Sequence, residues 1–595
     1  MPAARYFLDE LDYLRNSGQE FARYYPKLTN YLSERSTDPD VERLLEGFAF
    51  LTGRLREKID DQLPEVTQSL LMLLWPNFLR PIPSMTILQF DPLEGAIDQR
   101  QCIPAGCEVE SIPLNGTVCK FRTSYDTDIL PLAIGDVHHG VSKEKSVITL
   151  RLDSLNGENL RTIGLENLRF FLGGSDYSSL TLGLWLHRYL KTVAVRDLET
   201  GAEIPVRRDC VNPVGFGADE AVLPYPDNSF AGYRLLQEFY AFPHKYHFID
   251  IKSVPTAHIA TDASGFELVF ELERPMPPDV RVGLPSFKLH CVPAINLFDH
   301  DAEPFLLDGR RTEHHVRPAR RHDGEIEIFS IDRVNGWRPS NAARGTGSGS
   351  DGISRSFSRF ESFLHEIERV DGREAVYFRE KVRQSISGEK LDRLVSFIRE
   401  DEQLDAENGE TISIQLSCFN GSTPGDLAIG DVHVPTHMVP SFVRPSNVTR
   451  PTPPRYPVVD GTLQWQLISA LSLNYLSLQS VEALRTILTV FDFNAKVDRQ
   501  RERVAVMRLE GIEKLTSEPV DRLFRGVPVR GMRSVIEMRE SKFANEGEMY
   551  LFASVLAEFF ALYATINSFH ELVVRGVEAG EEYRWTARVG NQPLI

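Results

Sequence analysis

The chain has 595 residues, 42% of them hydrophobic, and carries 66 Lys and Arg residues against 84 Asp and Glu residues. This length predicts several domains, because single cores rarely grow beyond about 300 residues. The formal net charge of −18 repels nucleic acid and anionic lipid, so a nucleic-acid partner is not expected. Six scattered cysteines, and no apolar run of the roughly 20 residues that span a bilayer, favour a reduced cytoplasmic protein without direct membrane insertion.

Residues 1–90 are predicted to form an N-terminal helical region. Its first apolar stripe has spacings of four and three residues, which place the side chains on one helix face. This stripe consists of Phe7, Leu11, Leu14, Gly18, Phe21 and Tyr25. The same spacing suits a seam between helices of different chains, so contact between subunits and internal packing are equal alternatives. A second stripe, within residues 41–59, includes Leu44, Phe48 and Leu51 and is interpreted as ordinary core.

After Met85 the apolar spacing changes from the helical period to strict alternation. In FELVFELE, residues 266–273, every second side chain is apolar, which is typical of a half-buried strand. Residues 91–337 are therefore predicted to form one or more β-rich domains, with short helical inserts near residues 180–190 and 232–240.

The second half of the chain divides by composition. Residues 338–358 are rich in Gly, Ser and Arg and predict a flexible loop. A second β-rich segment at 359–439 precedes a proline-rich strap at 440–459, which cannot join a central strand. Residues 460–595 are predicted to form a mainly helical C-terminal domain. The fold class is thus α+β with several domains.

One heptapeptide, LAIGDVH, occurs twice, at residues 132–138 and 427–433. An identity of seven residues is uncommon by chance, yet it is too short to establish a duplication. Duplication of a β unit and coincidence are both retained as hypotheses.

The spacing of reactive residue types does not indicate an active site, and neither a cofactor nor a metal ion is expected. GSGSDG at residues 347–352 matches GxGxxG in spelling, but it lies in the predicted loop rather than between a strand and a helix. One local basic cluster consists of Arg310, Arg311, Arg317, Arg320 and Arg321. These side chains could bind a carboxylate-rich partner surface or could simply be solvated.

Ordered blocks along the whole chain carry a family resemblance. They include YFLDELDYLR at 6–15, LLWPNFLRPIPSMTILQF at 73–90, PVGF at 213–216, LPYP at 223–226, GYRLLQEFYAFPHKYHFID at 232–250, INLFDHDAEP at 295–304 and EMYLFASVLAEFFALYATINSFHELV at 548–573. These blocks resemble the TssF family, also called VasA or ImpG, of type VI secretion baseplate subunits.

The resemblance implies a non-enzymatic structural subunit of a cytoplasmic baseplate wedge that primes assembly of a contractile tail, similar to the wedges of contractile phage baseplates. The implied partners are TssG, a second copy of TssF, TssK, TssE and the VgrG hub, and other subunits would dock the wedge to the bacterial inner-membrane complex. The candidate partner interface consists of Phe7, Leu11, Leu14, Phe21 and the five arginines of the basic cluster. From the residues alone, a stand-alone cytosolic β-rich ligand-binding protein and a hydrolase with an unrecognised site stay open.

Overall fold

The computed structural model describes Leu11, Leu14, residues 43–44 and 46–53, and most of residues 62–590. Outside the described residues within 62–590 lie 157–159, 162, 164, 166, 227–228, 256–258, 260–262, 309, 320–324, 340–351, 361–376, 386–389, 399–409, 458, 460–467, 469–479, 494–498, 525 and 567. Leu11, Leu14 and residues 43–44 and 46–53 are helical. The remainder of the predicted N-terminal helical region before residue 62 lies outside the described residues.

The helices begin at polar caps where the sequence provides them. They are α1 (Gln62–Leu74), α2 (Asp176–Arg188), α3 (Ala231–Ala241), α4 (Val481–Phe491), α5 (Arg499–Glu510) and α6 (Glu546–Leu562). Short 3-10 helices span Pro76–Leu79, Arg208–Cys210, Pro243–Tyr246, Leu284–Ser286, Thr423–Asp426 and Glu540–Lys542. The Ser480 side chain accepts a hydrogen bond from the N–H of Ala483 at the start of α4, which satisfies one of the free donors there. The helical inserts predicted near residues 180–190 and 232–240 are confirmed as α2 and α3.

Strands predominate over helices. The first fifteen are β1 (Met85–Pro92), β2 (Gln101–Ile103), β3 (Glu108–Ser111), β4 (Lys120–Thr123), β5 (Thr127–Ile129), β6 (Leu132–Val141), β7 (Ser146–Ser154), β8 (Asn167–Leu172), β9 (Leu190–Asp197), β10 (Glu203–Val206), β11 (Val211–Pro213), β12 (Phe248–Lys252), β13 (Gly265–Leu272), β14 (Phe287–Lys288) and β15 (Cys291–Ile295). The others are β16 (Phe298–Asp301), β17 (Phe305–Leu307), β18 (His314–Val316), β19 (Glu327–Pro339), β20 (Gly352–Arg359), β21 (Tyr377–Gln384), β22 (Leu391–Ile398), β23 (Glu410–Phe419), β24 (Val432–Pro435), β25 (Val443–Asn447), β26 (Ile512–Phe524), β27 (Val527–Met538), β28 (Phe569–Gly576), β29 (Glu582–Arg584) and β30 (Arg588–Val589).

These strands form five sheets and one two-stranded pair, β2 with β5. Sheet 1 has the order β24-β3-β4-β15-β1-β25, sheet 2 the order β10-β9-β13-β7-β6, and sheet 3 the order β11-β12-β8-β14. Sheet 4 has the order β16-β23-β19-β20-β21-β22-β18 with β17 also on β23, and sheet 5 the order β26-β27-β28-β29 with β30 also on β28. In the central strand of sheet 2, Phe266, Leu268, Phe270 and Leu272 are fully buried, which confirms the alternation of FELVFELE.

The largest hydrophobic core combines distant parts of the chain. It includes Trp75 and Phe78 after α1, Phe270 of sheet 2, and Phe552 and Phe559 of α6. Sheet 1 and sheet 4 each contribute a smaller core. The β-rich middle and the C-terminal region therefore share one core, in which α6 packs on α2 and α3 of the middle region.

The interpretation of residues 41–59 as ordinary core is also wrong for its central side chains. Leu44, Phe48 and Leu51 are 73%, 57% and 62% exposed, whereas the small residues Ala49 and Gly53 are buried. The larger apolar residues of this stripe therefore face solvent.

The two LAIGDVH copies adopt different structures. Residues 132–138 lie within the edge strand β6 of sheet 2. Residues 427–431 precede β24 and include a turn at Gly430, where φ is +89°. The identity therefore does not mark a repeated structural unit.

The predicted loop and strap are shorter than expected. Strand β19 continues to Pro339 and β20 begins at Gly352, and these two residues pair across an antiparallel ladder. Only residues 340–351 of the predicted loop are left outside the described strands. In the predicted strap, β25 pairs with β1 and Pro445 lies opposite Phe90. Because β25 is an edge strand, the missing N–H of Pro445 is tolerated.

The C-terminal region is not mainly helical. Alongside α4, α5 and α6 it contains the whole of sheet 5. Ser534, Ile536 and Met538 alternate with half-exposed residues on β27, which is strand periodicity within a segment that was assigned to helix. Gly526, with φ of +85°, closes the hairpin between β26 and β27. Within the described residues, no helix combines the length and apolar character needed to cross a membrane.

Candidate assembly site

The segment that follows α1, residues 75–80, forms a junction that contacts several other elements of the chain. Trp75 is fully buried, and its ring centroid lies 5.4 Å from that of Phe78, 5.4 Å from that of Tyr233 and 4.8 Å from that of Phe491. Pro76 occupies the first turn of the following 3-10 helix, where an N–H is not needed. The junction therefore joins α1 to α3 and α4 through aromatic contacts.

Polar groups of the same segment connect it to two other regions. The Nδ2 of Asn77 donates to the carbonyl of Pro224 over 2.8 Å, and the Nη1 of Arg80 donates to the Oδ1 of Asn77 over 2.9 Å. The guanidinium of Arg80 lies 5.4 Å from the ring centroid of Phe329 in sheet 4. Burial, followed by repulsion from Arg359, lowers the pKa of Arg80 to about 10.

Helix α1 is attached to sheet 4 by a two-way contact. The Nε2 of Gln68 donates to the carbonyl of Val382 over 2.9 Å, and the N–H of Val382 donates to the Oε1 of Gln68 over 3.2 Å. Two residues before Val382 on the same strand, the carboxylate of Glu380 forms a buried ion pair with Arg393 and a second contact of 3.2 Å with Arg359. Burial would raise the pKa of Glu380, but the surrounding arginines hold it below its usual value.

The most deeply buried charges lie at α3. The side chains of Glu238 on α3 and Lys245 in the next 3-10 helix are fully buried and form an ion pair. The Oε1 of Glu238 also accepts hydrogen bonds from the N–H groups of Val222 (2.7 Å) and Leu223 (2.9 Å). Burial lowers the pKa of Lys245, against the opposing effect of Glu238. These contacts fix the loop before α3 against the helix.

A second carboxylate shapes the start of this loop. The Oε2 of Glu220 accepts from the N–H groups of Gly215 (2.7 Å) and Gly217 (3.0 Å). Gly215 has a φ of +104°, and a Cβ there would lie 2.8 Å from the carbonyl oxygen of Lys245. Arg169 binds Asp250 through two hydrogen bonds of 2.7 and 2.9 Å and also contacts Glu220 over 3.2 Å. The blocks at 213–226 and 232–250 thus form one buried polar network.

Burial shifts the pKa values of several histidines and cysteines among the described residues so that their neutral forms are favoured. Burial lowers the pKa of His247 to about 3 and that of His290 to about 4, and raises the pKa of Cys107 to about 11. A surface cleft of about 600 Å³ beside Tyr225 has a lining without carboxylate, imidazole or thiol. Within the described part of the chain, no group of three or more His, Cys, Asp or Glu residues is placed to hold a metal ion.

The candidate interface residues are only partly described. Leu11 is buried and Leu14 half-buried on helical backbone, whereas Phe7 and Phe21 lie outside the described residues. Of the basic cluster, Arg310, Arg311 and Arg317 are exposed and flank the edge strand β18. Arg310 forms a 3.6 Å ion pair with Asp308. Arg320 and Arg321 lie outside the described residues.

A family model described as Type VI secretion system, TssF matches residues 3–592. The chain belongs to the TssF family. The type VI secretion system component TssF1 of Pseudomonas aeruginosa is 29% identical over 639 residues, with 99% of each chain covered.

Two solved structures contain chains similar to this TssF family member. A chain of the TssK-TssF-TssG baseplate subcomplex, determined by cryo-electron microscopy, superposes with a TM-score of 0.76 at 30% identity. That alignment covers 92% of this chain and 98% of the other. A chain of a type VI secretion baseplate complex superposes with a TM-score of 0.67 at 26% identity and full coverage of both chains. The resemblance to the TssF family is thereby confirmed.

Replacing one member of the buried ion pair should destabilise the fold. Lys245→Met leaves the Glu238 carboxylate buried without its cation, and we expect a loss of about 3–5 kcal/mol in the free energy of unfolding. The double variant Glu238→Gln with Lys245→Met keeps an amide oxygen for the two N–H donors and should recover most of this loss. Chemical denaturation of the three proteins measures both values. Equal loss in the single and double variants would contradict this assignment.

Acid should destabilise the protein through its buried histidines. His247, His290 and His570 have lowered pKa values in the folded state, so below pH 6.5 the unfolded chain binds protons that the folded chain does not. Their contribution to stability is complete above pH 6.5 and is lost as the pH falls toward about 4, at up to about 1.4 kcal/mol per pH unit for each histidine.

His247 offers a test, because neither ring nitrogen has a hydrogen-bond partner among the described residues and the ring stacks on Phe171. Between pH 7 and pH 5, we expect the free energy of unfolding to fall by about 2 kcal/mol less in His247→Phe than in the unmodified protein. The exposed His315, changed to Phe, is the control for the replacement of an imidazole by a phenyl ring. An unchanged slope in His247→Phe would contradict the burial of a neutral imidazole.

Proposed function

We propose that this chain is a structural, non-enzymatic subunit of the baseplate wedge of a type VI secretion system and that it assembles with TssG and TssK. The observation that carries the proposal is its similarity to a chain of the TssK-TssF-TssG subcomplex, at 30% identity over 98% of that chain. Nearly the whole of that chain therefore aligns with residues of this one.

The finer parts of the proposal extend the same assembly. The wedge contains a second copy of this chain, contacts TssE and surrounds the VgrG hub, and its partners dock it at the inner-membrane complex from the cytoplasm. The support is membership of the TssF family across residues 3–592. The lack of activated nucleophiles in the described residues supports a structural rather than a catalytic role.

The apolar faces of the N-terminal helices support contact with other chains. Leu44, Phe48 and Leu51 together expose a face that water disfavours, at about 25 cal/mol for each Å². We propose that the stripe predicted from the sequence, with Phe7, Leu11, Leu14 and Phe21, takes part in the same contact. The basic cluster at residues 310–321 is a second proposed contact, for a carboxylate-rich surface.

Co-expression tests the assembly directly. We expect the chain alone to aggregate or self-associate through its exposed apolar helix face, and to become soluble and co-purify when TssG from the same genome is co-expressed. Size-exclusion chromatography with mass identification of the co-eluting chains provides the measurement. A stable monomer at high concentration that ignores TssG would contradict the proposal.

The helix face can be tested by placing charge on it. Phe48→Asp with Leu51→Asp should leave the circular dichroism spectrum unchanged, since both side chains are more than half exposed. Burial of two unpaired carboxylates in an apolar contact costs several kcal/mol, so recovery of TssG in a pull-down should fall at least about tenfold. Val141→Asp with Ile429→Asp, two exposed apolar residues on other surfaces, is the matched control. Normal recovery of TssG by the helix variant would exclude this face.

A further inference from the structure

Three Lys or Arg side chains are buried within the described residues, and one of them has no carboxylate partner. Lys245 is paired with Glu238, and Arg393 is paired with Glu380. Arg234 on α3 is only 4% exposed and forms no ion pair within the part of the chain that the structure describes. A buried charge is normally paired, because its removal from water is costly. Arg234 is therefore an exception that needs a physical reason.

Backbone carbonyls occupy only part of the Arg234 guanidinium. Its Nη2 donates to the carbonyls of Gly217 over 2.9 Å and Phe216 over 3.4 Å, and its Nη1 donates to that of Ala218 over 3.3 Å. A guanidinium has five N–H donors, so the donor on Nε and one donor on Nη1 have no acceptor among the described residues. The carbonyls carry no net charge, so direct contact with them does not neutralise Arg234.

Arg234 lines the surface cleft beside Tyr225, together with two serines whose hydroxyl groups are free. The Oγ atoms of Ser124 and Ser229 are buried and have no hydrogen-bond partner among the described residues. Ser229 as a whole is only 8% exposed. A buried polar group is normally hydrogen-bonded, so unsatisfied donors on one lining indicate a place for a ligand that accepts hydrogen bonds. The cleft thus combines a cation that lacks a carboxylate with two hydroxyl donors.

These groups fit a ligand with one negative charge. The other cation of the cleft lining, Arg122, contacts Asp299 over 3.5 Å, which leaves Arg234 as the cation of the described lining without a carboxylate contact. A carboxylate carries one charge and accepts hydrogen bonds from guanidinium and hydroxyl groups. A phosphate group carries close to two charges at neutral pH and would need a second free cation. The lining therefore favours a carboxylate.

The cleft is much larger than a carboxylate alone. Its volume of about 600 Å³ leaves space for the atoms that carry the charged group. Val222, Leu223 and Ile295 are buried apolar residues of the lining, whereas Ala218 and Pro224 of the same lining are exposed. The apolar wall suits an apolar side chain next to the carboxylate, and the exposed residues leave the cleft open to another chain.

We propose that this cleft binds an extended segment of a partner subunit, in which an Asp or Glu side chain pairs with Arg234 and a neighbouring apolar side chain packs on the apolar wall. The loop that contributes much of the lining is held in place by Glu220 and Glu238, so little order has to be gained on binding. The inference rests on the proposed assembly, because it names the chemistry of one contact within the complex that contains TssG and TssK.

The test measures whether the cleft is covered in the complex obtained by co-expression with TssG and TssK. Ala218→Cys places a thiol on an exposed part of the lining, and Cys102→Ser removes the exposed native thiol. In this background, Ser229→Asp supplies a carboxylate from the chain itself, whereas Ser229→Asn has nearly the same shape without the charge. We expect iodoacetamide to alkylate the thiol at least about tenfold faster with Ser229→Asp than with Ser229→Asn, because the added carboxylate pairs with Arg234 and repels that of the partner.

Short peptides test the chemistry of the occupant. Acetyl-Leu-Glu-Leu-amide at millimolar concentration should compete for the cleft and accelerate alkylation of the complex that carries Ala218→Cys with Cys102→Ser. The neutral peptide acetyl-Leu-Gln-Leu-amide, acetate and inorganic phosphate at the same concentration should have no effect. Acceleration by acetate or phosphate would overturn the inference, because the cleft would then bind a free anion. Acceleration by the neutral peptide would overturn the role of the carboxylate.

A thiol elsewhere is the matched control. Ile429 is 63% exposed and does not line the cleft, so Ile429→Cys should be alkylated at the same rate with either Ser229 variant. Circular dichroism verifies that each variant is folded. Equal rates for the two Ser229 variants at Ala218→Cys would overturn the inference. Faster alkylation in Asp227→Asn would also overturn it, because a carboxylate of the chain itself would then cover the cleft. Absence of TssG and TssK from the unmodified complex would count against the proposed assembly instead.

Discussion

The buried ion pair between Glu238 and Lys245 is the constraint on which the centre of the molecule depends. Both side chains are completely removed from water, and transfer of an isolated charge to such a place costs far more than a folded domain can spare. The pair is tolerable only with its additional donors, the N–H groups of Val222 and Leu223. The loop before α3, the helix itself and the turn after it must therefore adopt one arrangement together.

That arrangement extends outward through Pro224. Its carbonyl accepts from Asn77, and Asn77 in turn orients Arg80 toward sheet 4. Gln68 completes the attachment of sheet 4 to α1 through its two hydrogen bonds with Val382. Sheet 4, α1 and the loop before α3 are thereby held in a common frame. Such a frame suits a subunit whose role is to hold other chains in position.

The sequence predicted local structure where one pattern decided it. Helices α2 and α3 lie where the inserts near residues 180–190 and 232–240 are predicted, because the apolar spacing changes there from the strand period to the helical period. For FELVFELE, the alternation of apolar and polar residues was enough to predict a half-buried strand. The exposed face around Phe48 was not predicted, since a stripe of apolar residues shows which side chains share a face but not what covers it.

Features that depend on contacts between residues distant in sequence could not be predicted from such patterns. LAIGDVH forms a strand next to β7 and a turn near Asn447, so its conformation depends on its neighbours rather than on its own letters. The network around Glu238 joins residues that are distant in sequence. Its motifs were recognisable as blocks of a family, but their spacing did not indicate that they meet. The hairpin of β26 and β27 differs from the prediction because its alternation falls within a region predicted to be mainly helical.

The shared core also has a consequence for how the chain is made. Helix α3 packs against α6, and about 300 residues lie between them in sequence. At a translation rate of roughly 5–20 residues per second, the apolar face of α3 waits about 15–60 s before its cover is synthesised. During that interval the nascent chain presents Tyr233, Leu236 and Phe239 to the cytosol. The partly synthesised chain therefore exposes an apolar helix face, to which chaperones that shield nascent chains can bind.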